Sequence, residues 1–352
     1  MASSITKSFV APPALSERIQ KEEEFFSKPF LMSYSGLNRL LYSPALFYQH
    51  YVLKQRDDAM DQNMIEGSLI HCLLLHPTHF DNQFVLSVQE PPSDNPRKVL
   101  ETLLMHHKDL KAHGDTRTEL AEFGDAILDI LRDANLYQSL KTDAQRLEKM
   151  ITSRHEEYWR YLTTMEGKIV VSQDTYDFCK AVVDKITSNP TVMDRMGYFG
   201  DSFNGITKEN EKEIISFPEA LPFGLRGFID NLVFDPQNKV IRVNDVKKTG
   251  KDLNSFSESI EYFRYWIQAA MYAMLVEDQY LSRPEYYAGW KIEFRFIVID
   301  PYMQIAPIKV SDEKLNQWIS DTREKLNEAA YHFRKRDFSL PFQYLLHEEL
   351  TL

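Results

Sequence analysis

The stretch from Gly227 to Lys247 constrains the fold more than any other part of the chain. Two runs rich in β-branched and aromatic residues, Gly227–Phe234 and Val240–Lys247, are separated by Asp235-Pro236-Gln237-Asn238. Proline cannot donate to a strand ladder, and Asp and Asn side chains bond their own backbone. The tetrapeptide is therefore a tight turn and the two runs an antiparallel hairpin. A strand over Glu211–Phe217 precedes it. After it comes a long helix-period segment, Ser255–Val276, with Phe263, Trp266, Ile267, Ala270 and Met274 on or near one face. A strand over Trp290–Asp300 pairs with Met303–Val310 across Asp300-Pro301-Tyr302, and a helix capped by Ser311 closes the series near Arg334. Strands mixed with helices in this way predict an α/β fold.

The N-terminal half reads differently. Residues 1–30 are expected to be a tail, irregular and then helical around Glu22–Glu24. Ser33-Tyr34-Ser35 caps a helix running toward His50, with Leu37, Leu40 and Leu41 as its apolar face, and Pro44 suits the first turn of a second helix to Leu53. Asp61–Leu75 has Ile65, Leu69, Cys72 and Leu73 at helical spacing and reads as a buried helix. A short strand lies within Phe84–Val88 and another over Lys168–Val171, followed by a helix to Ser188. Residues 91–165 are polar, mostly helical and without a chemical motif. They are read as an elaboration on one domain spanning 31–352. His106, His107, His113 and His155, scattered through it, lack metal-ligand spacing.

Composition narrows the function classes. Of 352 residues, 43% are hydrophobic and 12% aromatic, enough for a real core. No run of 18 apolar residues and no signal-peptide pattern occurs, so neither a membrane span nor secretion is expected, and the cytoplasm is the expected compartment. Two cysteines, Cys72 and Cys179, are too few for a four-cysteine zinc or iron–sulfur site. A net charge of −11 means that any nucleic-acid surface must be a local patch. Residues 239–264 supply one, with six basic side chains against four acidic. Lys248, Lys251 and Arg264 flank the hairpin there and suit phosphate contacts, and Thr249 can cap the strand end or bind phosphate. Arg226 can touch a phosphate or cap its strand.

The chemistry concentrates on Asp230, on the first strand of the hairpin, and on Asp245 and Lys247, near the end of the second. Side-chain period is two in a strand, so Asp245 and Lys247 share a face, while Val246 points to the core and leaves its carbonyl able to face the site. Two carboxylates and a carbonyl are the hard oxygen donors magnesium prefers. A lysine beside them can orient or help deprotonate an attacking water and offset charge rising on a phosphate. Alone, Asp-x-Lys at a strand end more often describes a solvated ion pair, and it is Asp230 at hairpin distance that favours the functional reading. Glu213, on the preceding strand, is equally compatible with a place near the site and with a solvated position.

Gly227-Phe-Ile-Asp230 followed by Asp245-Val-Lys247 resembles the core motif of the PD-(D/E)XK nucleases, in the branch of RecE-like and RecB-like phage and prophage exonucleases. The proline often found before the first aspartate is replaced by Ile229, and the second acid is Asp. Three further segments resemble that branch: Ser33–Tyr48, the Glu66–Phe80 segment containing Gly67-Ser-Leu-Ile-His71, and Gln268-Ala-Ala-Met-Tyr272. The resemblance implies a restriction-endonuclease-like core, a central mixed sheet flanked by helices with a helical insertion. It implies His71, Asp230, Asp245 and the Val246 carbonyl as metal ligands, Lys247 as the catalytic lysine, and Gln268 and Tyr272 beside the site. Magnesium is the implied metal. Imidazole suits manganese better, so manganese is expected to substitute. The implied activity is a DNA exonuclease resecting linear duplex 5′-to-3′ to leave 3′ single strands for an annealing protein. The implied setting is phage recombination in a bacterial cytoplasm, with homo-oligomers in some relatives. Iron–sulfur relatives use four cysteines, so no such cluster is expected here. The alternatives are a structure-specific or single-strand nuclease with the same site, and a non-cleaving DNA-binding or anti-defence protein on this fold.

Overall fold

The computed structural model describes residues 15–55, 60–200 and 204–347. The chain divides into two compact units, Met1–Met60 with Asp184–Leu352, and Asp61–Val183. Eight strands occur among the described residues: β1 (Leu31–Met32), β2 (Phe84–Leu86), β3 (Ile169–Val171), β4 (Thr207–Ser216), β5 (Gly224–Asp235), β6 (Val240–Lys248), β7 (Lys291–Ile299) and β8 (Ile305–Lys309).

The first unit is built on a six-stranded mixed sheet in the order β1-β5-β6-β7-β8, with β4 also on β5. The hairpin forms as its turn chemistry requires, because Asp235 accepts from the Asn238 backbone N–H at 3.1 Å and from its side chain at 2.9 Å. β6 and β7 are parallel, joined by a helical crossover, and β7–β8 is antiparallel. The crossover helix Tyr265–Val276 is apolar almost all round and is buried from Ile267 to Ala273. It packs on β5 and against the long helix Asp312–Lys335, which starts on its Ser311 cap. Leu232, Ile241, Val243, Phe294 and Phe296 are fully buried here, at about 1.5–3 kcal/mol each.

One expectation needs correction. The segment 255–276 is not one helix but two, Phe256–Phe263 and Tyr265–Val276, broken at Arg264, which adopts a left-handed φ of 56°. Periodicity continues across such a break, so it leaves no mark in the apolar pattern. Within the stretch read as a tail, Leu15–Phe26 is helical, and Phe25 and Phe26 meet the Phe333 ring. Residues 1–14 lie outside the described residues.

The second unit encloses the 91–165 segment. Its helices include Gln62–Leu75, capped by Asp61, and Asp94–Ala112, Gly124–Asp133, Asp143–Met150 and Ser153–Thr164. Phe123, Ile127 and Trp159 form its core, and β2 and β3 pair in parallel. Both cysteines are buried thiols. No helix among the described residues is long and apolar enough to cross a membrane.

Candidate active site

The site arises where the hairpin parts. β4 covers one edge of β5 along most of its length, from Thr207↔Phe234 to Ser216↔Leu225. The other edge is shared between β1, at Gly224 and Leu225, and β6, at Asn231–Asp235. The β5–β6 ladder ends at Asn231↔Asn244. One residue further along each strand stand Asp230 and Asp245, where the strands have separated. In place of the ladder, Asp230 Oδ2 accepts the Val246 backbone N–H at 2.7 Å. The N–H and C=O of one strand residue project to the same edge, so the Val246 carbonyl also faces the gap.

A buried amide lattice holds the strands together just before they part. Asn244 donates to Asn231 Oδ1 at 2.8 Å and to the Arg195 carbonyl at 3.0 Å. Asn231 donates to Asn210 Oδ1 at 2.9 Å. Both Asn231 and Asn244 are fully buried, so each lost bond leaves an unsatisfied amide and the register is pinned.

Asp245 is fully buried and Asp230 nearly so, at 8% exposure. Lys247, on the face of β6 it shares with Asp245, places Nζ 2.5 Å from Asp245 Oδ2. Burial works against the ammonium, but Asp245 and then Asp230 outweigh it, and its pKa is raised above the ordinary lysine value. Lys247 also lies over the Tyr265 ring, 5.0 Å from its centroid. From the crossover helix, Gln268 Nε2 donates to Tyr272 Oη at 3.0 Å, as the i,i+4 spacing requires. Burial pushes the Tyr272 phenol well above its ordinary value, and Asp230 and Asp245 push it the same way. Gln268 Oε1 is buried with no hydrogen-bond partner among the described residues. Two carboxylates, a backbone carbonyl and an uncommitted amide oxygen make an all-oxygen donor set, which fits a hard divalent cation. Among the described residues no group of three or more His, Cys, Asp and Glu side chains gathers.

Gly227 makes room for this packing. A Cβ there would meet Leu275 Cδ1 at 2.8 Å and the Tyr272 ring at 3.0 Å. Gly227→Ala is expected to lower stability by about 1–3 kcal/mol through overpacking and to displace Tyr272. Urea unfolding with cleavage measured alongside checks this, and an unchanged unfolding midpoint would refute the tight contact.

The other expected site residues are placed as follows. Arg226 Nε pairs with Glu213 Oε1 at 2.6 Å, and the Arg226 guanidinium lies over Phe228. Arg226 and Phe228 alternate with Gly227 on β5, and Glu213 of β4 stands opposite Phe228, so all three occupy the sheet face turned away from the crossover helix. Lys248 is half-buried at the end of β6. Thr249 Oγ1 accepts the Lys251 N–H at 3.1 Å, closing the turn after the strand. Lys251 Nζ meets Glu258 Oε2 at 2.5 Å, half-exposed. Arg264 donates to Asn38 Oδ1 at 3.0 Å. His71 lies in the second unit, on the helix Gln62–Leu75.

Sequence reasoning missed four side chains. Tyr34 reads as part of a helix cap, yet its phenol bonds the Phe263 carbonyl. Burial, then Tyr265 and Asp245, raise its pKa. Tyr265, whose ring lies under the Lys247 ammonium, is not singled out by any sequence pattern. The two asparagines did carry a signal: Asp230-Asn231 and Asn244-Asp245 are mirror images about the turn, as a hairpin register demands.

Residues 31–339 match the family model of the PD-(D/E)XK nuclease superfamily. No curated protein sequence matches the chain. Among solved structures, a candidate exonuclease from Eubacterium rectale is similar at a TM-score of 0.41 and 13% identity, covering 89% of this chain and 83% of that one. With its hairpin, split strands and Asp-x-Lys pair inside the matched span, the chain belongs to the PD-(D/E)XK nuclease superfamily.

Proposed function

We propose that this chain is a metal-dependent DNA exonuclease that resects linear duplex 5′-to-3′ and leaves 3′ single strands. The observation that carries the reading is the meeting of Asp230, Asp245 and Lys247 where β5 and β6 part. The superfamily typically uses divalent metal, usually magnesium, on a nucleic-acid substrate. In this reading Asp230, Asp245 and the Val246 carbonyl hold magnesium, or manganese in its place, which supplies Lewis-acid polarisation of the phosphate. Lys247 sets an ammonium beside the reacting phosphate, and Gln268 and Tyr272 fix the floor beneath it. His71 is assigned as a further ligand on the sequence resemblance alone. Lys248, Thr249, Lys251 and Arg264 are assigned to backbone phosphates, with Glu213 and Arg226 at the margin. The RecE-like resemblance extends the proposal to a phage or prophage setting with an annealing partner.

Digestion of end-labelled DNA in magnesium tests it. Linear duplex is expected to be consumed from its 5′ ends while covalently closed circles survive. Rapid cutting of closed circles would overturn the exonuclease assignment. One observation favours a second reading, a single-strand nuclease with the same site: the Tyr262 ring is 82% exposed and Phe263 46%, near Tyr265, as stacking platforms for unpaired bases would be. Faster digestion of single strands than of duplex would select it.

A further inference from the structure

The sheet of the nuclease unit has a second face, and it is not apolar. β6 and β7 pair Arg242↔Glu293 and Asn244↔Arg295, so these four side chains share a face. Asp245, Lys247, Phe294 and Phe296 alternate with them onto the other. Lys309 of β8 stands opposite Arg295. Arg195, Arg242, Lys291, Glu293, Arg295 and Lys309 line a cavity of about 660 Å³, within the size of known small-ligand pockets.

Its charge is unbalanced. Arg242 is paired with Asp235 and Arg195 with Asp194. Lys291, Arg295 and Lys309 all converge on one carboxylate, Glu293. Burial works to raise the Glu293 pKa, but Lys309 and Arg295 overcome it and hold it at about 2. The carboxylate is therefore already saturated with cations. Arg295 is 6% exposed, and its Nη1 is buried with no hydrogen-bond partner among the described residues. That nitrogen lacks an acceptor even though Nη2 is on Glu293, and a planar guanidinium fork matches phosphate oxygens. In a chain of net charge −11, such a recess is a local reversal.

We propose that this recess is a phosphate-binding site for a nucleotide, distinct from the Asp245–Lys247 centre, with Arg295 and Lys309 as its principal donors. The phosphate can belong to a free nucleoside monophosphate or to one nucleotide of a strand. Binding to the full chain is measured in chelator, without divalent metal, so that cleavage and active-site metal play no part and the nuclease reading stands or falls separately. Deoxyadenosine monophosphate is titrated by calorimetry, and a fluorescent oligothymidylate of about 20 nucleotides by anisotropy. Arg295→Met is expected to weaken binding about tenfold or more, as loss of a charge-assisted pair does. Lys309→Ala, at a 44% exposed side chain where folding is not at risk, is expected to weaken it several-fold and to reduce the salt dependence of oligonucleotide binding by about one unit. Lys54→Ala, an exposed lysine paired with Glu24, serves as the control and leaves both unchanged. Binding of the monophosphate identifies a free-nucleotide site, and binding of the oligonucleotide alone identifies a strand contact. If the wild type binds neither ligand, or if Lys309→Ala binds as the wild type does, the proposal is overturned.

Discussion

Asp245→Asn is expected to lower the rate of DNA cleavage by about 10³-fold or more while leaving the protein folded. The substitution keeps the shape of a side chain that is fully buried and removes only its charge. A carboxylate that holds a divalent cation against a phosphate contributes several kcal/mol of transition-state stabilisation, and each 1.36 kcal/mol is a decade in rate, which sets the roughly thousandfold scale. Stability responds in the opposite direction from a simple broken ion pair. Lys247 is held by both Asp245 and Asp230, so the variant keeps one carboxylate for one ammonium and loses the repulsion between two buried acids. Melting in chelator is therefore expected to hold or rise, and magnesium affinity by calorimetry to fall. A folded Asp245→Asn protein that cleaves at the wild-type rate would remove the site.

How far the sequence reveals this site depends on which interactions are local. Asp245 and Lys247 are two residues apart on one strand, and Gln268 and Tyr272 four apart on one helix, so backbone periodicity alone brings each pair together. The hairpin turn at 235–238 does the same for Asp230 and Asp245 by fixing the register. The splitting of β5 from β6 is different. It depends on β1 taking the far end of the same edge of β5, a contact between residues 31–32 and 224–225, and a two-residue strand has no periodicity to read. Tyr34 reaches Phe263 for the same reason, through a fold that brings residues 229 positions apart into contact. The break at Arg264 has another cause. Only backbone conformation marks it, and arginine carries no left-handed preference to warn of it. The basic face of β6 and β7 was legible as alternation, Arg242 with Asn244 and Glu293 with Arg295, but an alternating polar face reads as solvent-facing until its cavity is seen.

Lys247→Ala separates chemistry from binding, and it separates a catalytic lysine from a structural one. Nζ lies 2.5 Å from Asp245 Oδ2 with a side chain only 14% exposed, and Asp245 and Asp230 hold it as ammonium. A positive charge fixed beside a reacting phosphate acts most strongly as charge builds in the transition state. Its removal is expected to slow the chemical step by about 10²-fold or more. DNA affinity changes little, since one phosphate contact among many is a small share of binding. Stability does change, because the variant leaves two buried carboxylates with no lysine between them. In chelator the loss approaches the roughly 3–5 kcal/mol of a broken buried pair. A surface pair would cost about 0–1 kcal/mol. Saturating magnesium binds the folded state and recovers part of that loss, as linkage requires. The variant is thus expected to show a melting temperature more sensitive to magnesium than the wild type, the reverse of Asp245→Asn, together with slow single-turnover cleavage of pre-bound duplex. Cleavage at the wild-type rate by folded, magnesium-saturated Lys247→Ala would reduce the lysine to a structural counter-ion and leave the two aspartates without their catalytic partner.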